Sequence, residues 1–361
     1  MANDSLFFSS SGGITPASFF LLLGAPLLLS GQFVWGCVAV ALALVVALKA
    51  AMEDIKEADK HEIRCNILDP EDLVAELEAL EESDSNEESK RTQFLASLGA
   101  LAKKYSKKDK AKNLALLCQQ SAYLTLRLYP EDDAMAAGAI SLLALVAKDD
   151  QVRQRNLYQA DAYGLDRPIQ ALRKGLERAK KEEDEDEEEL MAELQRKGCL
   201  FLGAISDGDK DLEISMKIVE EDGLEHILEA ANWFRLHSEV ANWALWAVFV
   251  ILYENVRNKI QFVRLAGINT VCELMKNNPS SLEVNRHGVA ILFDLLREGN
   301  RSEGVNFDPW EVRKMALSAG LHQVMLSAMT EFSDSMDIMM MGQELLLGTG
   351  YRGDIPQFQQ L

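Results

Sequence analysis

The chain lacks the residue groupings that catalysis and metal binding require. None of its five histidines lies four residues from another or beside a Cys-x-x-Cys pair, so the sequence predicts no metal site. No glycine-rich loop is followed by Lys-Ser or Lys-Thr, and no serine or cysteine lies in a nucleophile-elbow motif. We therefore predict no catalytic residue, no cofactor and no small-molecule substrate.

Strand-like alternation of apolar and polar residues is also nearly absent. From about residue 66 onward the apolar residues recur with a helical period, which predicts an all-α fold. The chain has 57 acidic and 37 basic side chains, a formal net charge of -20. Since nucleic acids and anionic lipids carry phosphates that such a protein repels, nucleic acid is not an expected partner.

Residues 5–48 contain no charged side chain, which predicts a membrane segment within residues 1–52. Residues 33–52 carry only Lys49 and match the roughly 20 residues of a spanning helix. Residues 16–30 form a second apolar stretch that begins with a Thr-Pro helix start. One span and a two-helix hairpin therefore both remain open.

Positive charge is missing before this segment and present after it, at Lys49, Lys56, Lys60 and Arg64. The positive-inside rule places the following domain on the cytosolic side. A cleavable signal peptide is the alternative, but it would require a basic start and a shorter apolar run. The endoplasmic reticulum and the outer mitochondrial membrane both fit. Five scattered cysteines, an odd number, indicate reduced thiols and agree with the cytosol.

Beyond the membrane segment we divide the chain by composition. Residues 53–90 form an acidic helix and linker, and residues 91–350 form a helical repeat domain. An acidic insertion at 180–189, predicted to be a solvated loop, and a loop at 298–309 interrupt the repeats. Residues 351–361 form a C-terminal tail.

The repeat is visible in its glycines. Each of four units has a glycine followed by Leu or Ile: Gly164-Leu165, Gly223-Leu224, Gly267-Ile268 and Gly320-Leu321. Each unit then has a small residue on a later helix: Gly198, Ala244, Gly288 and Gly342. Without the insertions the period is about 42 residues, within the range of helical repeats. We expect each first glycine to end a helix in the left-handed conformation, and each small residue to allow another backbone to come close.

The best-preserved unit identifies a family. Its third helix reads Ala244-Leu245-Trp246-Ala247, and Ala266-Gly267-Ile268 opens the next unit. Both segments resemble armadillo repeats. This resemblance implies a right-handed α-solenoid whose third helices line a groove for extended peptides. HEAT repeats share the spacing and remain an alternative.

Importin-alpha-like armadillo proteins place Trp, and four residues later Asn, along that groove. Here the tryptophan positions hold Leu200, Trp246, Ala290 and Glu344, and the asparagine positions hold Ala204, Val250, Asp294 and Gly348. A nuclear import receptor is therefore disfavoured. The candidate protein-binding residues are Arg196, Asn242, Trp246 and Arg286, which occupy one helical face. The alternative is that Trp246 packs in the core and that the arginines are merely solvated.

These expectations describe a membrane-anchored, non-enzymatic scaffold or adaptor that binds protein partners through the solenoid groove. The alternative function is an Hsp70 co-chaperone that resembles armadillo-type nucleotide exchange factors. The partners themselves are not predicted by the sequence.

Overall fold

The computed structural model describes residues 70–83, 88–106, 112–148, 164–181, 184–208, 212–297 and 309–358. These residues belong to one compact unit, 67–361, and they form fifteen helices and no strand, so the all-α prediction is confirmed for them. No helix in these ranges combines the length and apolarity needed to cross a bilayer. The predicted membrane segment, residues 1–52, lies outside the described residues.

The helices are numbered in chain order over the described part of the chain. They are α1 Pro70–Ser83, α2 Glu88–Ser106, α3 Lys112–Leu128, α4 Asp133–Ala147, α5 Asp166–Ala179, α6 Glu185–Ser206, α7 Glu213–Glu220, α8 Gly223–Trp233, α9 Ser238–Leu252, α10 Val256–Arg264, α11 Gly267–Asn277, α12 Leu282–Leu296, α13 Pro309–Ser318, α14 Leu321–Glu331 and α15 Met336–Gly348.

Helix contacts follow the predicted repeat. The helices that carry the small residues contact one another in chain order, with α6 against α9, α9 against α12 and α12 against α15; α4 precedes them against α6. We call α4, α6, α9, α12 and α15 the long-helix row. The second helices of the units, α5, α8, α11 and α14, also contact one another in order. This order of contacts is compatible with helical repeats that stack on one another.

Helix α1 belongs to the same core, although it precedes the predicted repeat domain. Leu73 and Leu77 on α1 are fully buried, and α1 packs against α3. The buried apolar side chains form one cluster that extends from Leu73 to Leu346, with a smaller cluster around Phe234.

The acidic insertion differs from the predicted solvated loop. Asp184 caps α6 by accepting hydrogen bonds from the backbone N–H groups of Asp186 and Glu187, and the helix begins at Glu185. Acidic side chains at a helix start are favourable because they meet the positive end of the helix dipole. Residues 185–189, half of the insertion, therefore form the first turn and a half of a long helix. The loop at 298–309 is described only at Pro309, the first residue of α13.

The unit-opening glycines do not share one role. Gly164 and Gly320 have positive φ, 37° and 92°, so the predicted left-handed conformation is confirmed for these two. In the other two units the preceding residue has the positive φ: 58° at Asp222 and 56° at Ala266. There the prediction is wrong, because the glycine itself begins the next helix.

Close packing explains the glycine in those two units. A Cβ on Gly223 would lie 2.9 Å from the carbonyl oxygen of Ile218, and one on Gly267 would lie 2.2 Å from the ring of Phe262. Neither distance leaves room for a methyl group, so the small size of glycine is what the helix junction needs.

The small residues of the long-helix row also have a different neighbour from the one predicted. If a Cβ is placed on Gly198, Gly288 or Gly342, its nearest neighbours are side-chain atoms of the second helix of the same unit. No backbone atom is among them. The pairs are Leu172 beside Gly198, Met275 beside Gly288 and Met329 beside Gly342. Each glycine therefore accommodates a large apolar side chain of its own unit.

Candidate partner-binding face

The four candidate residues lie on three successive helices of the long-helix row. Arg196 is on α6, Asn242 and Trp246 are on α9, and Arg286 is on α12; all four are half-buried. We call their common side the row face. Of these residues, Trp246 and Arg286 contact a neighbouring long helix.

An acidic residue occurs five positions before the small residue in every unit. The four acids are Glu193, Glu239, Glu283 and Asp337. Arg196 donates to Glu193 at 2.6 Å, and this hydrogen bond lowers the pKa of the Glu193 carboxyl. Glu239, on the next helix, helps to raise the pKa of Arg196.

Arg286 makes a direct connection to the next long helix, whereas the ion pair of Arg196 is within its own helix. Its guanidinium donates to Glu283 on α12 and to Asp337 on α15, both at 2.8 Å. The two candidate arginines are therefore engaged in ion pairs. Both arginines are also partly solvated, and each guanidinium has further N–H donors, so their role in binding stays a prediction.

Asn242 takes the arginine position in the unit between them. Its Oδ1 is shielded from solvent and has no hydrogen-bond partner, and the same is true of Nε1 of the adjacent Trp243. An unmade hydrogen bond at a buried polar atom costs about 1–3 kcal/mol. The centre of the row face thus holds one buried acceptor and one buried donor that no described residue satisfies.

Trp246 and Trp243 form an aromatic pair at this centre. Their ring centroids are 5.6 Å apart and their planes are nearly perpendicular, at 89°. Both rings pack partly on the core and remain partly exposed. Trp246 is therefore partly a core residue, as the alternative predicts, and partly a surface residue.

Gly203 on α6 is a positioning residue that the sequence reasoning missed. A Cβ there would lie 2.4 Å from the six-membered ring of Trp246 and 3.1 Å from the Cα of Ala247. The ring of Trp246 therefore packs directly against the α6 backbone at Gly203. A glycine inside a long helix costs helix propensity, and this cost was the signal available in the sequence.

The row face changes character at α15. Met336 and Met340 are largely exposed there, at 63% and 60%, as is Leu347. Methionine is flexible and polarizable, so this end of the row, which α12 separates from the tryptophans on α9, offers an adaptable apolar surface. Met340 occupies the position that holds Arg196 and Arg286 in the other units.

Three cysteines and His226 are buried titratable residues in the described part of the chain. Burial raises the pKa of Cys118, Cys199 and Cys272 to about 12, so these thiols stay protonated. Burial, assisted by nearby cations, lowers the pKa of His226 to about 3, and its Nε2 hydrogen-bonds the Oε1 of Gln195 at 2.8 Å. No cluster of three or more His, Cys, Asp or Glu in this part of the chain has metal-site geometry.

Comparisons with known proteins add no relative. No protein-family model, curated protein or solved structure matches the chain.

Proposed function

We propose that the chain is a non-catalytic scaffold, an armadillo-like right-handed solenoid that binds protein partners through the row face. We further propose that residues 1–52 anchor it in a membrane and that the repeat domain lies on the cytosolic side. The endoplasmic reticulum and the outer mitochondrial membrane both suit this arrangement.

The order of helix contacts supports the solenoid. Long helices contact long helices and second helices contact second helices, always in chain order, as stacked repeats require. The glycines that admit Leu172, Met275 and Met329 occur at one position of the repeat, so three units use one packing solution.

The tryptophan pair on α9 is the observation that carries the binding function. Large aromatic side chains that stay partly exposed on a fixed support are typical of interface hot spots. Trp246 is supported by Gly203, and the arginines on either side are fixed by carboxylates. Such a surface is organised before a partner arrives, so little conformational entropy is lost on binding.

The armadillo-like order of the helices favours an extended peptide as the ligand. The Oδ1 of Asn242 and the Nε1 of Trp243 are shielded from solvent, so a peptide would reach them only after the side chains around them move. We infer that the partner contributes an extended segment with a large apolar side chain that contacts Trp246.

The test is proximity labelling from the full chain in cells, compared with the variant Trp246→Ala. Loss of a hot-spot aromatic weakens binding by about 2 kcal/mol or more, roughly 30-fold, so partners of the row face should lose most of their label. Trp233→Ala is the matched control, since Trp233 is an exposed tryptophan on α8, outside the row.

An unchanged set of labelled partners in a folded Trp246→Ala variant would refute binding through the row face. The same cells test the location. The chain should sediment with membranes, and added protease should digest residues 91–350 while the membranes are intact; protection of these residues would refute the cytosolic placement.

A further inference from the structure

A recess lies between α12, α13 and α15, apart from the tryptophan pair on α9. Its volume is about 320 Å³, at the lower end of the range for small-ligand sites. Phe293, Leu296 and Leu345 form an apolar floor, and Arg297, Arg313 and Glu344 supply the charged groups. The recess can therefore enclose a small apolar group and meet a charge at its rim.

The two arginines of this recess differ from those of the row face. Among the described residues Arg297 and Arg313 make no ion pair, whereas Arg286 binds two carboxylates. The Nε of Arg313 is shielded from solvent and donates to nothing. Two guanidiniums therefore lie at one recess, and neither forms an ion pair with a described carboxylate.

The helix ends beside the recess do not use these guanidiniums. Carbonyl groups at the C-termini of α12 and α15 could attract cations. Backbone N–H groups already serve them: Arg297 N–H bonds the carbonyl of Phe293, and Thr349 N–H bonds that of Leu345. The Thr349 hydroxyl also donates to the Leu345 carbonyl, at 2.6 Å. The arginine side chains stay available for a ligand.

The charge of the recess selects the kind of anion. Two guanidiniums and the Glu344 carboxylate sum to +1, which a monoanion neutralises and a dianionic phosphate exceeds. Guanidinium groups bind carboxylates through paired N–H donors. We propose that this recess binds a carboxylate carried on a small apolar or aromatic group. A free organic acid and a peptide that ends in an apolar residue share this chemistry.

The proposal is tested by calorimetric titration of the full chain with benzoate. Saturable binding is expected, and Arg313→Gln or Arg297→Gln should weaken it by about tenfold or more, because each removes a charged donor. Arg257→Gln is the matched control, since Arg257 is an exposed arginine on α10. Arg313→Lys keeps the charge without the planar fork and should give intermediate affinity. Thermal unfolding of each variant verifies that it is folded.

Glu344→Gln distinguishes this site from a general basic surface. It raises the charge of the recess to +2, so benzoate should bind several-fold tighter and phenyl phosphate should gain more than benzoate does. The peptide acetyl-Gly-Gly-Phe and its C-terminal amide separate a peptide terminus from a free organic acid as the ligand. If the peptide binds more tightly than benzoate and its amide does not bind, the ligand is a chain terminus. If the peptide binds more weakly than benzoate, the ligand is a free acid. No saturable benzoate binding up to about 10 mM, or equal weakening by Arg257→Gln, would overturn the proposal.

Discussion

The contact between α6 and α9 and the contact between α12 and α15 join equivalent helices by different means. At the first, the ring of Trp246 lies on the backbone of Gly203. At the second, Arg286 on α12 donates to Asp337 on α15. One contact depends on shape and the other on charge, although both occur between successive members of the long-helix row.

The residues three positions before the small residue differ in the same way. On α6 this position is Gln195, which is buried, receives a hydrogen bond from His226 and donates one to the Leu172 carbonyl. On α15 it is Met339, buried among apolar atoms. Polar groups with fixed partners restrict the packing, whereas methionine tolerates alternatives. We conclude that the α6–α9 end is the more rigid part of the row face.

The largest expected difference between the two ends appears in acid. Burial first, and then the charges of Arg173 and Lys180, lower the pKa of His226 from 6.5 to about 3 in the folded chain. Between these values the unfolded chain binds a proton that the folded chain does not, so stability falls as the pH drops below 6.5. The cost should reach roughly 2–3 kcal/mol at pH 4.5.

His226→Gln isolates this effect, because glutamine can still donate to Gln195 but does not titrate. Urea unfolding at pH 7 and pH 4.5 should show a smaller loss of stability in the variant than in the parent chain. Equal losses in both would show that His226 is not responsible. Carboxylates near His226, such as Glu225 and Glu229, are present in both chains and cancel in the comparison.

The next largest difference concerns one glycine at each end of the row face, Gly203 on α6 and Gly342 on α15. Gly203→Ala forces the Trp246 ring away from the α6 backbone, and overpacking of this kind costs about 1–3 kcal/mol. Gly342→Ala is the matched change: its Cβ would meet the sulfur of Met329 at 2.7 Å, and that side chain can move. Both changes gain about 1 kcal/mol of helix propensity, so Gly342→Ala should be near neutral.

Thermal unfolding and tryptophan fluorescence measure this pair. Only Gly203→Ala should lower the unfolding temperature and alter the emission of the tryptophans. If Gly342→Ala destabilised the chain as much, the distinction between a rigid and an adaptable end would be wrong.

Local sequence signals were sufficient for the helices and for the spacing of the units, because apolar periodicity and glycine placement are local. The positive φ of Asp222 and Ala266 was not predictable in this way. It accompanies the packing of the next residue, a glycine, against Ile218 or Phe262 of the preceding helix, and the sequence pattern does not give the angle at which the two helices meet. The same holds for the side chains that fill the glycine positions of the long-helix row.

For the candidate site, the sequence placed Arg196, Asn242, Trp246 and Arg286 on one row of helices but missed their partners. Asp337 lies 51 residues from Arg286, so no local pattern joins them. The acidic residue at the same position of all four units was a readable signal, since a repeated acid beside a repeated arginine predicts ion pairs between neighbouring units. Its meaning became clear only when the helices were placed side by side.

The smallest expected effect is at the charged contact. Burial would raise the pKa of Asp337, but hydrogen bonds from Ser335 and the Ile338 N–H, together with Arg286, lower it below 3.8. A lowered carboxyl pKa stabilises the folded chain above 3.8, and this stabilisation is lost as the pH falls through the folded value. Because the pair is partly solvated, Asp337→Asn should cost only about 0.5 kcal/mol at pH 7. High salt should reduce that cost, since partly exposed ion pairs are screened. Urea unfolding of the parent chain and the variant at low and high salt measures this loss of stability. A loss above about 2 kcal/mol that salt leaves unchanged would mean that packing, not charge, joins α12 to α15.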